Sequence, residues 1–186
     1  MIICVDVGNS NIVYGVFNNQ DQLVNTFRME TKVLRTSDEY GIAIIENLRY
    51  LGISKTDITG VIIASVVPQI DPILEKSFLK YIGLSPIFVA PGTKTGIKIK
   101  IENPKQLGAD LLVGAVAAST LYGTPCIVVD LGTATTVGVV NKNKEFLGGI
   151  IYPGVMTAYD SLVKSTALLE SAKMGRPESV IGRDTM

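Results

Sequence analysis

The chain of 186 residues contains neither histidine nor tryptophan. Without histidine, a Ser-His-Asp triad, a Cys-His pair and a histidine-ligated metal site are all excluded. Any chemistry that the chain performs must therefore come from carboxylates, hydroxyls, amides and cationic side chains.

Net charge and long apolar runs are absent as well. The 17 basic residues balance 17 acidic ones, so no overall field draws the chain to nucleic acid or to an anionic membrane. The longest apolar stretch, Val61 to Val67, is far too short to span a bilayer, and no basic segment precedes an apolar core at the N-terminus. We therefore expect a globular cytoplasmic protein with neither a nucleic-acid nor a membrane partner.

Cysteine is scarce, with Cys4 and Cys126 as its two occurrences. Both lie in apolar segments, at equivalent places of a pattern that the chain repeats, where another small apolar residue would also serve. We expect two reduced thiols in the core rather than a disulfide or a reactive site.

That repeated pattern is what the chain does contain. Residues 1–17 are MIICVDVGNSNIVYGVF, and residues 126–140 are CIVVDLGTATTVGVV. Each copy predicts a strand that ends on an aspartate, a tight glycine turn rich in hydroxyl and amide side chains, and a returning strand. The recurrence predicts two related halves.

The two hairpins have the composition of phosphate-binding turns. Glycine lets backbone N–H groups approach phosphate oxygens, and Ser10, Asn11 and Thr133 are among the side chains that add donors. Asp6 and Asp130 are suited to holding Mg²⁺, mostly through its waters. One copy alone is more often a plain hairpin turn, so the prediction of a phosphate clamp, with both aspartates facing one cleft, rests on the recurrence.

The remaining segments predict a mixed sheet with helical cover. The first half has the order strand, strand, strand, helix, strand, helix, strand, which is the layout of the ribonuclease-H-like unit. Its first helix is predicted to use Ser37 as N-cap and to place Ile42 on its apolar face. A helix over 105–122 should join the halves. From residue 127 the second half begins like the first but lacks its later strand and helix, so we expect an incomplete, truncated copy.

Six segments carry a family resemblance in addition. They are DVGNSN at 6–11, PGTKTG at 91–96, ENPKQLGAD at 102–110, DLGTATT at 130–136, GGIIYPG at 148–154 and IGRDT at 181–185. On these segments the whole chain resembles the type III pantothenate kinase family, within the acetate and sugar kinase, Hsc70 and actin superfamily. The resemblance implies an α/β fold of two ribonuclease-H-like, actin-like ATPase units, at 1–115 and 116–186.

The resemblance also implies an activity and its partners. It implies ATP-dependent phosphorylation of pantothenate to 4′-phosphopantothenate, the first step of coenzyme A biosynthesis. Mg²⁺ and a monovalent cation, K⁺ or NH₄⁺, would be cofactors besides ATP. The enzyme would be a homodimer with its substrate pocket at the interface.

Site residues are implied by matching motif positions one by one. Asp110 matches the general base, while Asp6 and Asp130 match the metal-binding carboxylates. The implied phosphate-binding residues are Asp6, Gly8, Asn9, Ser10, Asn11, Gly132, Thr133 and Thr135. The implied substrate-binding residues are Ile101, Gly108, Ala109, Asp110, Leu111 and the partner subunit's Thr185.

Two positions depart from the family pattern and leave alternatives open. Leu111 stands where the family typically has an arginine for the pantothenate carboxylate, and Ile101 stands where a tyrosine is common. Loss of such a charge-assisted hydrogen bond costs about 1.5 to 3 kcal/mol. A kinase of this fold that acts on a different hydroxy acid is therefore one alternative, and a non-catalytic nucleotide-binding regulator is another. The form of 186 residues, shorter than family members, could also be inactive.

Overall fold

The computed structural model describes residues 1–90, 92–167, 175 and 179–181. Contacts divide the chain into two compact units. The first unit is Met1–Val128 with Gly138–Gly148, and the second is Val129–Val137 with Gly149–Met186.

Strands and helices follow the order that the sequence predicts for the described part of the chain. The strands are β1 (Ile2–Val7), β2 (Asn11–Phe17), β3 (Leu23–Glu30), β4 (Gly60–Ser65), β5 (Ile87–Phe88), β6 (Lys98–Ile99), β7 (Cys126–Leu131), β8 (Ala134–Val140) and β9 (Glu145–Pro153). The α-helices are α1 (Ser37–Tyr50), α2 (Asp71–Tyr81), α3 (Ala109–Leu121) and α4 (Val155–Ser165). Short 3₁₀ turns form at Lys55–Asp57 and Pro104–Gln106.

The first sheet has the strand order β3-β2-β1-β4-β5. The pairs β1–β2 and β2–β3 are antiparallel, whereas β1–β4 and β4–β5 are parallel. The mixed sheet predicted for the first half is therefore confirmed. Along β1, the side chains of Ile3, Val5 and Val7 are buried, whereas the side chain of Asp6 is exposed. Successive side chains of a strand point to opposite faces of the sheet, so Asp6 points away from the face that these apolar residues occupy.

Helices α1 and α2 cover this sheet and complete its core. Ile44 and Leu48 of α1 and Leu74 and Phe78 of α2 are almost fully buried and belong to the same apolar cluster as the strands. Tyr14 of β2 lies in this cluster with its ring stacked on that of Phe27, at a centroid distance of 4.5 Å.

The N-cap of helix α1 lies one residue before the predicted one. The side chain of Thr36 accepts a hydrogen bond from the backbone N–H of Glu39, and the Glu39 carboxylate accepts from the backbone N–H of Thr36 at 2.8 Å. This reciprocal capping box makes Thr36 the N-cap, so the prediction of Ser37 is wrong. The end of the helix is confirmed at Gly52, whose φ of 70° is a conformation that favours glycine.

The buried face of α1 also differs from the predicted one. Tyr40, Gly41, Ile44 and Leu48 are buried, whereas Ile42 is 54% exposed, so its assignment to the apolar face is wrong. The reason is the close approach of α2 at Gly41, where an added Cβ would contact the ring of Tyr81. The Tyr81 hydroxyl then donates to Asp38 Oδ1 at 3.0 Å. A hydrogen bond from Lys80 to the same oxygen holds the pKa of Asp38 below its usual value.

The second sheet has the strand order β6-β9-β8-β7, with β6 parallel to β9. Strand β6 thus lies at the edge of this sheet. A second apolar cluster lies here, centred on Leu107, Leu112, Ala115, Val140 and Phe146.

Helix α3 begins later than predicted. Asn103 Oδ1 accepts from the backbone N–H of Lys105 at 3.3 Å, which caps the 3₁₀ turn Pro104–Gln106. The α-helix then starts at Ala109, so the prediction that it starts at Lys105 is wrong.

Both cysteines are free thiols, as expected. Each is half-buried, and burial raises the pKa of the Cys4 thiol. No helix in the described part of the chain combines the length and the apolar character that a membrane span requires.

The contact between Gly41 and Tyr81 generates a stability prediction. Gly41→Ala forces a methyl group against the Tyr81 ring, and we expect overpacking to lower the free energy of unfolding by about 1 to 3 kcal/mol. The matched control is Gly114→Ala within α3, where the added Cβ lies 3.9 Å from Val128 Cγ1 in ordinary contact. We expect this control to be stabilising by up to about 1 kcal/mol because alanine is the better helix former. Urea unfolding of both variants measures the difference, and equal effects would contradict the packing at Gly41.

Candidate active site

The first glycine turn joins β1 to β2 in the first unit. Gly8 donates its backbone N–H to the carbonyl oxygen of Asn11 at 3.0 Å, which closes the turn around Asn9 and Ser10. Asp6 lies on β1 two residues before the turn, opposite Val13 of β2 and Ala64 of β4. The side chains of Asp6, Asn9, Ser10 and Asn11 are all exposed.

A residue that the sequence analysis did not single out holds this turn. Thr31, directly after β3, donates its hydroxyl to the carbonyl oxygen of Gly8 at 2.7 Å. Its backbone N–H donates to the carbonyl oxygen of Ser10 at 3.1 Å. The signal lies in the strand register, because Asn11 pairs with Glu30 and the next residue of β3 therefore reaches the turn.

The carboxyl ends of β1 and β4 lie at one edge of the first sheet. The strands are parallel, with Val7 opposite Ser65, and the backbone N–H of Val66 donates to the carbonyl oxygen of Val7 at 3.0 Å. Ligands of open α/β sheets bind outside the carboxyl ends of parallel strands. The glycine turn after Val7 therefore lies where this architecture places ligands.

Asp110 lies at the same edge of the same unit. It is the second residue of α3, and Gly108 just before this helix packs close to Val66, with an added Cβ 3.7 Å from Val66 Cγ1. Val66 is in turn bonded to Val7, the last residue before the glycine turn. This chain of contacts places the beginning of α3 beside the end of β1.

The Asp110 carboxylate is half-buried and oriented by its own helix. Its Oδ1 accepts from the backbone N–H of Leu111 at 2.7 Å and lies over Gly108, where an added Cβ would contact it. Within the described residues, Oδ2 has no hydrogen-bond donor. One carboxylate oxygen is thus fixed and the other is available to a substrate hydroxyl.

The two positions that depart from the family pattern border the same apolar cluster. Ile101 and Leu111 are both half-buried and lie against the second apolar cluster. Ile101 also approaches Gly148, where an added Cβ would lie 3.9 Å from Ile101 Cγ2. The surroundings of Asp110 on this side are therefore apolar.

The second glycine turn joins β7 to β8 in the second unit and is tighter than the first, because its hydrogen bond reaches two residues ahead instead of three. Gly132 donates its backbone N–H to the carbonyl oxygen of Ala134 at 2.9 Å. Asp130 lies on β7 two residues before this glycine and is exposed, as is Thr133, whereas Thr135 on β8 is half-buried. Both copies of the sequence repeat thus form a strand, a glycine turn and a returning strand.

The beginning of α4 holds the second turn. Gly154 donates its backbone N–H to the carbonyl oxygen of Thr133 at 2.9 Å, and Thr157 donates its hydroxyl to the same oxygen at 2.8 Å. The approach is so close that a Cβ at Gly154 would contact the carbonyl oxygens of Gly132 and Thr133. Thr157 was also missed by the sequence analysis, since nothing in a single sequence shows that α4 returns to this turn.

The predicted site residues therefore fall into two groups. The first unit contains Asp6, Gly8, Asn9, Ser10, Asn11, Ile101, Gly108, Ala109, Asp110 and Leu111, and the second contains Asp130, Gly132, Thr133 and Thr135. Thr185 lies outside the described residues. The expectation that Asp6 and Asp130 face one cleft stays a prediction.

A metal cage of protein ligands is not found within the described residues, where no three acidic or cysteine side chains group around one point. Mg²⁺ usually keeps several waters and binds through one or two carboxylates together with substrate phosphates. An exposed aspartate beside a glycine turn, such as Asp6 or Asp130, fits that mode of binding.

Solved structures with this fold include two with low sequence identity. A conserved Campylobacter jejuni protein, assigned to a Baf family of transcriptional activators, matches with a TM-score of 0.52 and 18% identity over 97% of this chain and 68% of its own. The activator of 2-hydroxyisocaproyl-CoA dehydratase from Clostridium difficile, solved with bound ADPNP, matches with a TM-score of 0.51 and 12% identity over 88% of this chain and 51% of its own. These likenesses confirm the expected α/β fold of the ribonuclease-H-like, actin-like ATPase kind.

Sequence comparison goes further than the fold. The family model described as Type III pantothenate kinase matches residues 2–186. The type III pantothenate kinase of Geobacillus kaustophilus is 45% identical over 186 residues, which are 100% of this chain and 72% of that relative. This chain therefore belongs to the type III pantothenate kinase family.

Proposed function

We propose that this chain transfers the γ-phosphoryl group of ATP to the primary hydroxyl of pantothenate, the first step of coenzyme A biosynthesis. The observation that supports it most directly is the placement of Asp110 at the edge of the sheet where the first glycine turn ends β1. A kinase needs a carboxylate within reach of the acceptor hydroxyl and donors around the transferred phosphate, and the first unit offers both. The cytoplasm, which contains ATP, is the location that we propose.

Asp110 is the proposed general base. The acceptor oxygen attacks the γ-phosphorus, its proton passes to Asp110 Oδ2, and the bond between the phosphorus and the leaving ADP oxygen breaks. The hydrogen bond from the Leu111 N–H fixes Oδ1, so the free oxygen is held in one orientation. Orientation is the main contribution here, because phosphoryl transfer depends mostly on positioning and electrostatic stabilisation.

The glycine turns are the proposed phosphate-binding elements. In the first turn, we assign this role to Gly8, whose lack of a side chain admits a phosphate, to the backbone N–H of Asn9, and to the side chains of Ser10 and Asn11. In the second, we assign it to Gly132, Thr133 and Thr135. Successive backbone N–H groups in such turns form a concave surface that binds anions.

Asp6 and Asp130 are the proposed carboxylates for Mg²⁺, held mostly through its waters. When bound, the ion would neutralise charge on the phosphate oxygens. A monovalent cation, K⁺ or NH₄⁺, is proposed near Asp130. The exposure of both aspartates beside the glycine turns supports these assignments.

The substrate pocket is proposed to include Ile101, Gly108, Ala109 and Leu111 besides Asp110. Ile101 and Leu111 contribute an apolar wall, which suits the methyl groups of pantothenate but leaves its carboxylate without a cation at position 111. This observation favours the second candidate, a kinase of this fold that acts on a different hydroxy acid.

We further propose a homodimer with the substrate pocket at its interface and the partner subunit's Thr185 contributing to the pocket. Large apolar side chains are exposed in the second unit, among them Ile151 at 69%, Tyr152 at 59% and Met156 at 56%. Monomeric proteins rarely expose large contiguous apolar patches, so we propose that a second copy of the chain covers these side chains.

The dimer leads to a prediction about mass in solution. Light scattering at low micromolar concentration should give twice the mass of the 19.9 kDa chain. Dilution should dissociate the dimer into a species that aggregates or loses structure, because its apolar surface becomes exposed. A stable monomer across the concentration range would contradict this part of the proposal.

The base assignment leads to a prediction about turnover. Asp110→Asn keeps the shape and the acceptor for the Leu111 N–H but removes the basic oxygen. We expect kcat to fall by about two to four orders of magnitude while the KM for ATP changes little. A coupled assay for ADP release measures both constants, and a variant that retains most of its turnover would refute the role of Asp110.

A second variant tests the orientation of the same carboxylate. Gly108 has φ −59° and ψ 144°, which alanine adopts without strain, yet the added Cβ would contact Asp110 Oδ1. Gly108→Ala should therefore lower kcat without lowering the melting temperature. Loss of folding stability in parallel with activity would point to general disruption instead.

The acceptor is tested by restoring a cation at position 111. If the natural acceptor is not pantothenate, Leu111→Arg should lower the KM for pantothenate by about tenfold or more through the charge-assisted bond gained. If pantothenate is the natural acceptor, the pocket holds its carboxylate by other means and the same change should leave its KM unchanged or raise it. Steady-state kinetics with pantothenate and a panel of hydroxy acids distinguishes the two candidates.

A further inference from the structure

We propose that Thr31 and Thr157 are positioning residues for nucleotide binding, each holding one glycine turn through a hydroxyl donated to a turn carbonyl. The inference rests on the proposed phosphate-binding role of the turns and adds residues outside both repeated hairpins. We do not propose that either threonine contacts the nucleotide. Each one fixes the peptide groups that contact it.

Thr31 is placed at the first turn by the register of β3. The antiparallel ladder pairs Asn11 with Glu30, so Thr31 continues past the last pair and lies opposite Ser10. It uses both of its donors there, with the hydroxyl bonded to Gly8 O at 2.7 Å and the backbone N–H bonded to Ser10 O at 3.1 Å. Two bonds from one residue thus fix two of the carbonyl groups of the four-residue turn, those of Gly8 and Ser10.

A fixed carbonyl also fixes a donor. In a planar trans peptide the C=O of one residue and the N–H of the next point in opposite directions. Tying Gly8 O to Thr31 therefore directs the N–H of Asn9 to the other side of the peptide plane. Asn9 is exposed, and within the described residues its N–H has no acceptor, so this donor is available to a phosphate oxygen.

The second turn is also held by a threonine hydroxyl, but this hydroxyl comes from a helix and its acceptor is the carbonyl directly after the turn glycine. Thr133 O accepts from the hydroxyl of Thr157 at 2.8 Å and from the backbone N–H of Gly154 at 2.9 Å. By the same peptide geometry, these bonds set the direction of the Ala134 N–H. Helix α4, which is not part of the repeated hairpin, thus provides a threonine hydroxyl to the second turn.

Not every threonine hydroxyl bonded to a backbone carbonyl has this role, and the chain offers two matched controls. Thr59 donates its hydroxyl to Met1 O at 3.1 Å, at the opposite edge of the same sheet as Thr31. Thr166 donates its hydroxyl to Leu162 O at 2.9 Å, at the far end of the helix that carries Thr157. Threonine to valine at all four positions removes one hydroxyl from one carbonyl at nearly constant shape.

The experiment measures binding of a non-hydrolysable ATP analogue to the full chain by calorimetry, together with steady-state kinetics. We expect Thr31→Val and Thr157→Val each to raise the Kd of the analogue and the KM for ATP by about two- to tenfold, the worth of one hydrogen bond. The KM for pantothenate should stay near the wild-type value. Thr31→Ser and Thr157→Ser, which keep the hydroxyl, should restore binding.

The controls separate positioning from general stability. Thr59→Val and Thr166→Val should lower the melting temperature by a similar amount but leave the Kd of the analogue unchanged. Unchanged analogue binding in Thr31→Val and Thr157→Val, or an equal loss in the controls, would overturn the inference. So would a serine variant that fails to recover.

The two proposals fail in different ways. A wild-type chain that binds the analogue but does not phosphorylate pantothenate would refute the proposed function and leave the positioning role measurable. A wild-type chain that phosphorylates pantothenate while Thr31→Val binds the analogue normally would refute the positioning role alone. A wild-type chain that does not bind the analogue would overturn both.

Discussion

Parallel pairing of β1 with β4 is the constraint on which the rest of the first unit depends. It places the end of β1, the backbone of Val66 and the beginning of α3 at one edge of the sheet, through the bond from Val66 N–H to Val7 O and the close approach of Gly108 to Val66. Asp110 comes from a part of the chain distant from Asp6 and the first glycine turn. This pairing, rather than any local motif, makes them neighbours of one sheet edge.

Much of the fold could be predicted from the sequence because local rules and tertiary packing agree over most of the chain. The errors occurred where they compete. Thr36 is the N-cap of α1 because Glu39 lies three residues on, a pattern visible in the sequence that was assigned to the neighbouring serine. Ile42 fits helical spacing but is exposed. The buried face of α1 contains Gly41 instead, because this glycine leaves room for the Tyr81 ring of α2. Asn103 and Pro104 favour a 3₁₀ turn, and α3 therefore begins only at Ala109.

The candidate site divides in the same way. The aspartates and glycines of both turns were predictable, because strand ends and glycine turns leave a local signature. Thr31 and Thr157 were not, because their roles depend on which carbonyl lies opposite them. The register of β3 contains the first contact implicitly. The second requires knowing where a helix returns, which apolar periodicity does not specify. The role of Asp110 was implied by resemblance, and the contact with Gly108 supplies its orientation.

The close contact at Gly154 has a consequence for how the two turns tolerate change. At the first turn the supporting residue, Thr31, acts through its side-chain hydroxyl, and a serine in its place would still supply that donor. At the second turn part of the support is the absence of a side chain, since any Cβ at position 154 would contact the carbonyls of Gly132 and Thr133. No amino acid other than glycine meets that requirement. Almost any replacement of Gly154 should therefore disrupt the second turn. At the first turn, the supporting residue Thr31 tolerates at least one replacement, serine, because serine keeps the hydroxyl.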